Sequence, residues 1–437
     1  MLPQIAAILL LGLQLADSAP NDTSKTRFCV YVDEWHQTRL PDLSITKGIN
    51  CVIMAFANST LFTTSPAGNF KPFMPVSDMR ARFEPSTKVM IAIGGWGDTA
   101  GFSKGVVDEA SKQRFAKNVG DMLISVGADG VDIDWEYPGG NGADYKTIPN
   151  SQKAGEVEAF PLLLSKIKDT IGKDKLLSVA VPGKEIDMIG FTPATAPKIW
   201  QCVDFVNVMT YDLVNRRDSM TGHHTSREGS LSAIKKYISL GLETRKINLG
   251  FAFYAKYFST APASNCATQP ISCAMLPLEQ ENGLDSSKSG VVTFEYRNLV
   301  PVPNNLALSS SGNCGADVNA KCSNGACCSS DGWCGNTIQH CGLACMTGYG
   351  NCPGVSASAS YQKALKYGQT DAVQGGQYYW DSEANLFWSW DTPELIAQKF
   401  EKIVTPLQLG GVMAWSLGED TFDWSHLKAI QKGIGAI

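Results

Sequence analysis

Eight short runs rich in Val, Ile, Ala and Met recur along this chain, and they constrain its fold more than any other feature. They are Phe28–Val32, Cys51–Phe56, Val89–Ile93, Gly130–Trp135, Leu177–Val181, Phe205–Met209, Ile247–Phe253 and Gly411–Trp415. Most are continuously apolar, the pattern of strands whose sheet is covered on both faces. Helical patterns fall between them, at Lys112–Val126, Pro161–Ile171, Ser230–Leu240 and Pro393–Val404, with a last one at Ser425–Lys432. Pro161 and Pro393 suit a first helical turn, where a missing N–H does no harm. Alternating strands and helices imply parallel strands joined by right-handed crossovers. Eight such strands predict the α/β class and a closed (β/α)8 barrel, the TIM-barrel architecture.

The interval from about Lys256 to about Leu409 is too long for one barrel connection. Phe251–Tyr257, Val291–Tyr296 and Gln377–Trp390 read as sheet within or beside it, so an α+β insertion domain is expected at 258–385. The barrel then occupies 27–257 and 386–437. Eight of the thirteen cysteines crowd into 314–352, a small disulfide-rich module nested at 312–353. Ser309–Gly312 and Gly354–Ser360 flank it with flexible-linker compositions. Zinc is the rival use for such cysteines, but paired Cys-x-x-Cys units are missing and the adjacent Cys327 and Cys328 suit a disulfide knot. Cys266–Cys273 closes a short loop, and Cys29–Cys51 is expected to bridge adjacent strands. Cys202 is left as a buried free thiol.

The apolar run Ile5–Leu15 is shorter than the ~20 residues that span a bilayer, and small residues follow it. A secretory signal peptide at 1–19 is expected, cleaved near Ser18 or Ala19, with an extracellular or cell-wall destination. Asn21 and Asn58 head Asn-x-Ser/Thr sites for glycans. The net charge is −5 without any basic run, which argues against nucleic acid and membrane as partners. A monomer without metal or other cofactor is expected.

Asp129-Gly-Val-Asp-Ile-Asp-Trp-Glu136 closes the fourth run. Val131, Ile133 and Trp135 alternate with Asp132, Asp134 and Glu136, so three acids share one face of a strand. A buried row of like charges is costly unless protonated or hydrogen-bonded, and such rows are seldom structural. Other strand ends bring Gly94-Gly95-Trp96, Met209-Thr-Tyr211-Asp212, Phe253-Tyr254 and Trp415 to the same barrel mouth. Acids beside flat apolar walls suit sugars, which present hydroxyl edges and C–H faces. Glycosidic cleavage needs one protonated acid, and Glu136 next to Asp134 is placed to keep its proton.

The acid row resembles the Asp-Gly-x-Asp-x-Asp-x-Glu signature of family-18 chitinases. Ala92-Ile-Gly-Gly-Trp96, Met209-Thr-Tyr-Asp212 and Gly410-Gly-Val-Met-Ala-Trp415 resemble the family's third-, sixth- and eighth-strand motifs. Tyr31 with Trp35 resembles the first-strand pattern and Ala55-Phe56 the second, in wording similar to fungal members. The resemblance spans about residues 27–437. It implies a retaining, substrate-assisted hydrolysis of β-1,4-linked N-acetylglucosamine, with chitin or its oligomers as partner. Glu136 would be the acid and then the base, Asp134 would orient the acetamide, Asp132 would share a proton with Asp134, and Tyr211 would donate to the acetamide carbonyl. Tyr31, Phe56, Gly95, Trp96, Met209, Asp212 and Trp415 would bind the sugars. Ala92 departs from the Ser found in many members.

The knot resembles a hevein-type chitin-binding module, with Cys327-Cys-Ser-Ser-Asp-Gly-Trp-Cys334 at its centre. That resemblance implies the pairs Cys314–Cys328, Cys322–Cys334, Cys327–Cys341 and Cys345–Cys352, and a sugar surface including Ser329 and Trp333. Asp331 and His340 stand where the family usually has aromatics. Two other readings stay open. One is an inactive chitin-binding lectin, the other an endo-N-acetylglucosaminidase acting on N-glycans.

Overall fold

The computed structural model describes residues 26–37, 40–262, 264–295, 302–330 and 332–436. The expected leader, Asn21 and Asp331 lie outside the described residues.

Seven strands pair in parallel around a barrel: β1 (Arg27–Asp33), β2 (Cys51–Ala57), β3 (Lys88–Gly94), β4 (Gly130–Asp134), β5 (Leu176–Pro182), β6 (Phe205–Met209) and β7 (Ile247–Ala252). The chain then leaves the barrel. β8 (Tyr254–Ser259) and β9 (Ser289–Thr293) join a separate antiparallel sheet. Two short pairs follow, β10 (Ala307–Leu308) with β11 (Ala320–Lys321), and β12 (Cys327–Cys328) with β13 (Cys334–Gly335). β14 (Gln369–Asp371), β15 (Gly376–Asp381) and β16 (Leu386–Trp390) complete the second sheet, in the order β14-β15-β16-β8-β9. β17 (Gly411–Trp415) returns to the barrel and closes it between β7 and β1. The architecture is a (β/α)8 barrel with an extra sheet and disulfide-rich segment inserted before its last strand.

Two layers of side chains explain the barrel. Val131, Ile133 and Trp135 face the surrounding helices, where Trp135 stacks on Phe102 with centroids 5.1 Å apart and planes 12° apart. Trp135 is thus core. The helix Glu109–Val126 covers this side, burying Phe115, Val119 and Leu123 on one stripe. Asp108 caps it by accepting Ser111 N at 2.7 Å, and Gly127 ends it at φ 70°. Asp132 and its inward neighbours point the other way, into the barrel.

Several local expectations fail for identifiable reasons. The helix expected to start at Pro161 runs Ala154–Ile171, with Pro161 in its interior. The earlier turns are held by Glu156, which accepts Ser103 Oγ at 2.6 Å and Gly139 N at 3.1 Å, and by buried Phe160. Cys29 and Cys51 are register partners on β1 and β2, yet both are free thiols. Their side chains stand side by side in the barrel interior, where the two thiols interact without an S–S bond and each sulfur has a further neighbour. Asn248 Nδ2 lies 3.5 Å from Cys29 Sγ, and Met90 Sδ lies 3.8 Å from Cys51 Sγ. Cys202 is free but only half-buried, because it ends the helix Ala196–Cys202, which the sequence pattern did not suggest. The stretch Gly354–Ser360 is not all linker, since a helix occupies Ala357–Tyr367 and buries Tyr361 against Trp388. His223 and His224 are both buried.

Candidate active site

The acid row opens into a cleft of about 680 Å³ at the C-terminal end of the barrel strands. Asp132 lies deepest. Its Oδ2 accepts Tyr31 Oη at 2.8 Å, and its Oδ1 accepts Ser178 Oγ at 2.6 Å and Asn207 Nδ2 at 3.2 Å. Asn207 is steadied in turn by Asn248 Nδ2, 2.9 Å from its Oδ1. Ala92 is the register neighbour of Asp132 on β3. The hydroxyl missing there is supplied from the other neighbouring strand by Ser178, the register partner of Asp132 on β5, and by Tyr31 of β1. Burial still raises the Asp132 carboxyl above its ordinary value, against these three hydrogen bonds.

Asp134 ends β4 one layer higher. Burial raises its carboxyl well above the usual range, and Glu136 and Asp132 raise it further. Its Oδ1 is buried and has no hydrogen-bond partner among the described residues. Burial likewise pushes Glu136 up to about 7, with Asp212 and Asp187 adding to the rise against Tyr137 and Arg217. The row therefore retains protons rather than being fully charged near neutrality. The turn beyond β3 fits against it closely. Gly95 N donates to Asp134 O at 2.9 Å, and a Cβ on Gly94 (φ 112°) would sit 2.1 Å from that oxygen. Only glycine fits at Gly94.

Aromatic rings wall the cleft. Trp415 stacks on Phe56 at 5.5 Å and meets Tyr31 at 5.4 Å. Trp35, 64% exposed, continues this wall 6.5 Å from Phe56, whereas Trp96, 49% exposed, stands beside Tyr137. Met209 and Tyr211 also line the cleft, and the nearest hydrogen-bonding atom to Tyr211 Oη is Met413 Sδ at 3.8 Å. Asp212 takes the left-handed backbone (φ 55°) that turns its carboxylate into the cleft. Burial opposes that charge, but Lys256 Nζ at 2.9 Å and His224 hold the Asp212 carboxyl far below the usual range. Tyr254 Oη adds a hydrogen bond to it at 2.8 Å.

The cleft brings together Tyr31, Phe56, Gly95, Trp96, Asp134, Glu136, Met209, Tyr211, Asp212 and Trp415, with Asp132 directly beneath. Ser178, Asn207, Tyr254, Lys256 and the Asp187–Arg217 ion pair at 2.5 Å complete it. Sequence reasoning placed Tyr254 at the mouth but singled out none of the other four. Asn207 carried a signal, a polar residue at the centre of an apolar strand. Asn58 is exposed at the cleft rim and caps a helical turn through Thr60 N at 2.9 Å.

Two groups of side chains come close enough to share a cation among the described residues. Cys314, Cys322 and Cys328 are all used in disulfides. In the Asp33–His36–Glu419 group, Asp33 already accepts Trp35 N, His36 N and His36 Nδ1, each at 2.9 Å, and the Ser416 hydroxyl. Neither group offers a ready metal centre.

In the knot, disulfides join Cys314–Cys328, Cys322–Cys334, Cys327–Cys341 and Cys345–Cys352, and outside it Cys266–Cys273 closes its short loop. Trp333 is 53% exposed, but Ser329 is only 6% exposed. The Ser329 hydroxyl accepts the Trp333 backbone N at 3.2 Å, so it braces the turn that carries Trp333. His340 packs at Gly335 and pairs with Thr337 Oγ1 at 2.7 Å.

A barrel with this acid row at its mouth defines a glycosidase class. The model of the glycosyl hydrolases family 18 matches residues 27–420, and the chain belongs to that family. It is 29% identical over 203 residues to chitotriosidase-1 of Mus musculus, covering 41% of each chain. It is 28% identical over 226 residues to sporulation-specific chitinase 2 of Saccharomyces cerevisiae, covering 47% of this chain and 42% of that one. The chain thus matches less than half the length of these curated relatives. Its fold is similar to that of a family-18 chitinase from Cycas revoluta in complex with (GlcNAc)4, with a TM-score of 0.61 and 18% identity over 93% of this chain and 99% of that one.

Proposed function

We propose that this protein is a secreted chitinase that cleaves β-1,4 linkages between N-acetylglucosamine units with retention of configuration. The observation that carries the reading is the Asp132–Asp134–Glu136 row turned into a ring-lined cleft, where burial raises the carboxyls of Asp134 and Glu136 and the neighbouring Glu136 raises Asp134 further. Glu136 gives its proton to the glycosidic oxygen as the bond to the anomeric carbon breaks. The substrate's own acetamide oxygen attacks that carbon from the opposite face and forms an oxazolinium ion. Asp134, whose Oδ1 lacks a donor, accepts from the acetamide N–H and balances the positive charge. Asp132 takes part of the proton shared with Asp134, and Tyr211 donates to the acetamide oxygen. Water, deprotonated by Glu136, then opens the ring ion from the first face.

Trp415 floors the reacting sugar, Asp212 holds it distorted, and Tyr31, Phe56, Gly95, Trp96 and Met209 shape the neighbouring positions. The insertion at 258–385 deepens one wall, to which Asp285, Ser289 and Val291 contribute. The hevein-like module at 312–353 holds the enzyme to polymer weakly, through Trp333. The apolar N-terminus and the cysteine-rich knot support secretion, and the sequons at Asn21 and Asn58 become glycan sites there.

Hydrolysis of a fluorogenic N-acetylchitooligosaccharide tests the activity, and Glu136→Gln tests the acid. The variant is expected to lose at least about 10²-fold in kcat, the lower end of what general acid catalysis contributes. Near-full activity in the variant would remove Glu136 from the mechanism.

A further inference from the structure

The loop that follows Glu136 is fastened to the insertion. Tyr145 Oη donates to Glu279 Oε2 at 2.5 Å, and Lys146 Nζ lies 3.3 Å from the same oxygen. Lys146 Nζ also donates to Gln280 O at 3.0 Å. Arg216, in the loop beyond β6, donates its Nε to Glu279 Oε1 at 2.9 Å. One carboxylate thus gathers three partners from two loops, and its side chain is only 6% exposed. Burying a carboxylate is costly unless it is paired and hydrogen-bonded, and Glu279 is both. Burial and Glu279 push the Tyr145 phenol up to about 12, so it stays a donor.

Strand order decides what this clasp spans. Around the barrel β5 and β6 separate β4 from β7. A contact between the loop after β4 and the insertion after β7 therefore crosses the mouths of both intervening strands. The hairpin that carries Glu279 is itself braced, since Glu279 bridges to Asp285 and Gln280 N donates to Leu284 O at 2.8 Å. Its base is sewn to the loop after β6, where Met275 N donates to Ser219 O at 2.8 Å and Thr221 N to Cys273 O at 2.9 Å. Beside it, Arg217 bonds Asp187 Oδ2 at 2.5 Å and Asn141 O at 3.2 Å. The clasp also reaches a sugar platform, because the Arg216 guanidinium lies 5.8 Å over the Trp96 ring. Trp35, 64% exposed, follows β1, which stands opposite β5 in the ring of eight strands.

We propose that the Glu279 clasp makes the β5–β6 side of the cleft a blind end, so that chitin enters from the Trp35 side by a chain end and is cut at a fixed, short distance from that end. The inference rests on the chitinase reading above. A chain advancing over the exposed rings stops against Arg216, which Glu279 holds in place. The fragment between the reacting sugar and the clasp then has the length the cleft allows. A groove open at both ends would instead accept the middle of a polymer and cut it at random positions. Glu279 touches no reacting atom in this scheme, and it sets product length through Arg216 and Tyr145.

The test compares the wild type, Glu279→Ala and Tyr145→Phe on soluble glycol chitin, colloidal chitin and acetylated hexamer. Viscosity of the glycol chitin is followed together with new reducing ends, and the first products from colloidal chitin are sized by mass spectrometry. The wild type should lose little viscosity per bond cut and release one short product size. Glu279→Ala, which frees Tyr145, Lys146 and Arg216 at once, should raise the viscosity loss per bond severalfold and spread the product sizes. Tyr145→Phe removes one partner of the three and should move both readouts the same way, by less. Both variants should keep the wild-type kcat/KM on a short fluorogenic oligomer, because both positions stand outside the cleft lining. Random cutting by the wild type, or product sizes unmoved in both variants, overturns the proposal while leaving the chitinase reading intact. Failure to cleave the acetylated hexamer overturns both.

Discussion

Replacing Glu136 by Gln should stabilise the protein at alkaline pH while destroying its activity. The Glu136 carboxyl titrates at 4.5 in an open chain and near about 7 in the fold, chiefly through burial. Between those values the folded state binds a proton that the unfolded chain has released. Stability supplied by Glu136 is therefore fully present below about pH 4.5 and is lost as pH rises toward and through about 7. At about 1.4 kcal/mol per tenfold displacement of a proton equilibrium, the loss is about 3 kcal/mol. Gln keeps the shape and carries no charge, so the variant escapes the loss. Denaturant unfolding of both proteins at about pH 4 and about pH 8 measures it. The stability difference between variant and wild type should grow by about 3 kcal/mol in favour of the variant across that interval. A difference independent of pH would show that Glu136 ionises freely, and the argument that burial keeps it protonated would fail.

The same displaced proton limits catalysis: kcat/KM on a neutral oligomer should fall as pH rises through about 7, because the free enzyme loses its acid there. A profile flat to about pH 9 would contradict it. Trp415→Ala removes the ring stacked on Phe56 and should raise KM for oligomers about fivefold, the worth of roughly 1 kcal/mol per aromatic contact; an unchanged KM would remove Trp415 from the sugar floor. Trp333→Ala should abolish the weak retention of the protein on insoluble chitin without altering turnover of short oligomers, and equal pull-down of both proteins would end the binding role of the knot.

The barrel was legible because each strand is a dense run of branched apolar residues, and the acid row because alternation fixes which side chains face inward. Parity alone separated Asp132, Asp134 and Glu136 from Trp135. Where the reading failed, a contact outside the local pattern decided the outcome. Pro161 looked like a helix start because nothing near it in sequence announces that Glu156 is anchored to Ser103 and Gly139. Cys29 and Cys51 were correctly placed side by side, and their thiols interact, yet both remain free. The supports of Asp212 and Asp187 were invisible for a similar reason. Lys256, on β8, and Arg217 reach these acids from 44 and 30 residues away in the chain. His36 and Glu419 meet only because β17 returns beside β1.

The account stands or falls on whether a sugar's own amide, rather than water, first attacks the anomeric carbon. Proton NMR of chitin hexamer taken within the first minutes of digestion reads this directly. Fresh reducing ends should appear as the β-anomer before mutarotation; an initial burst of the α-anomer would contradict it.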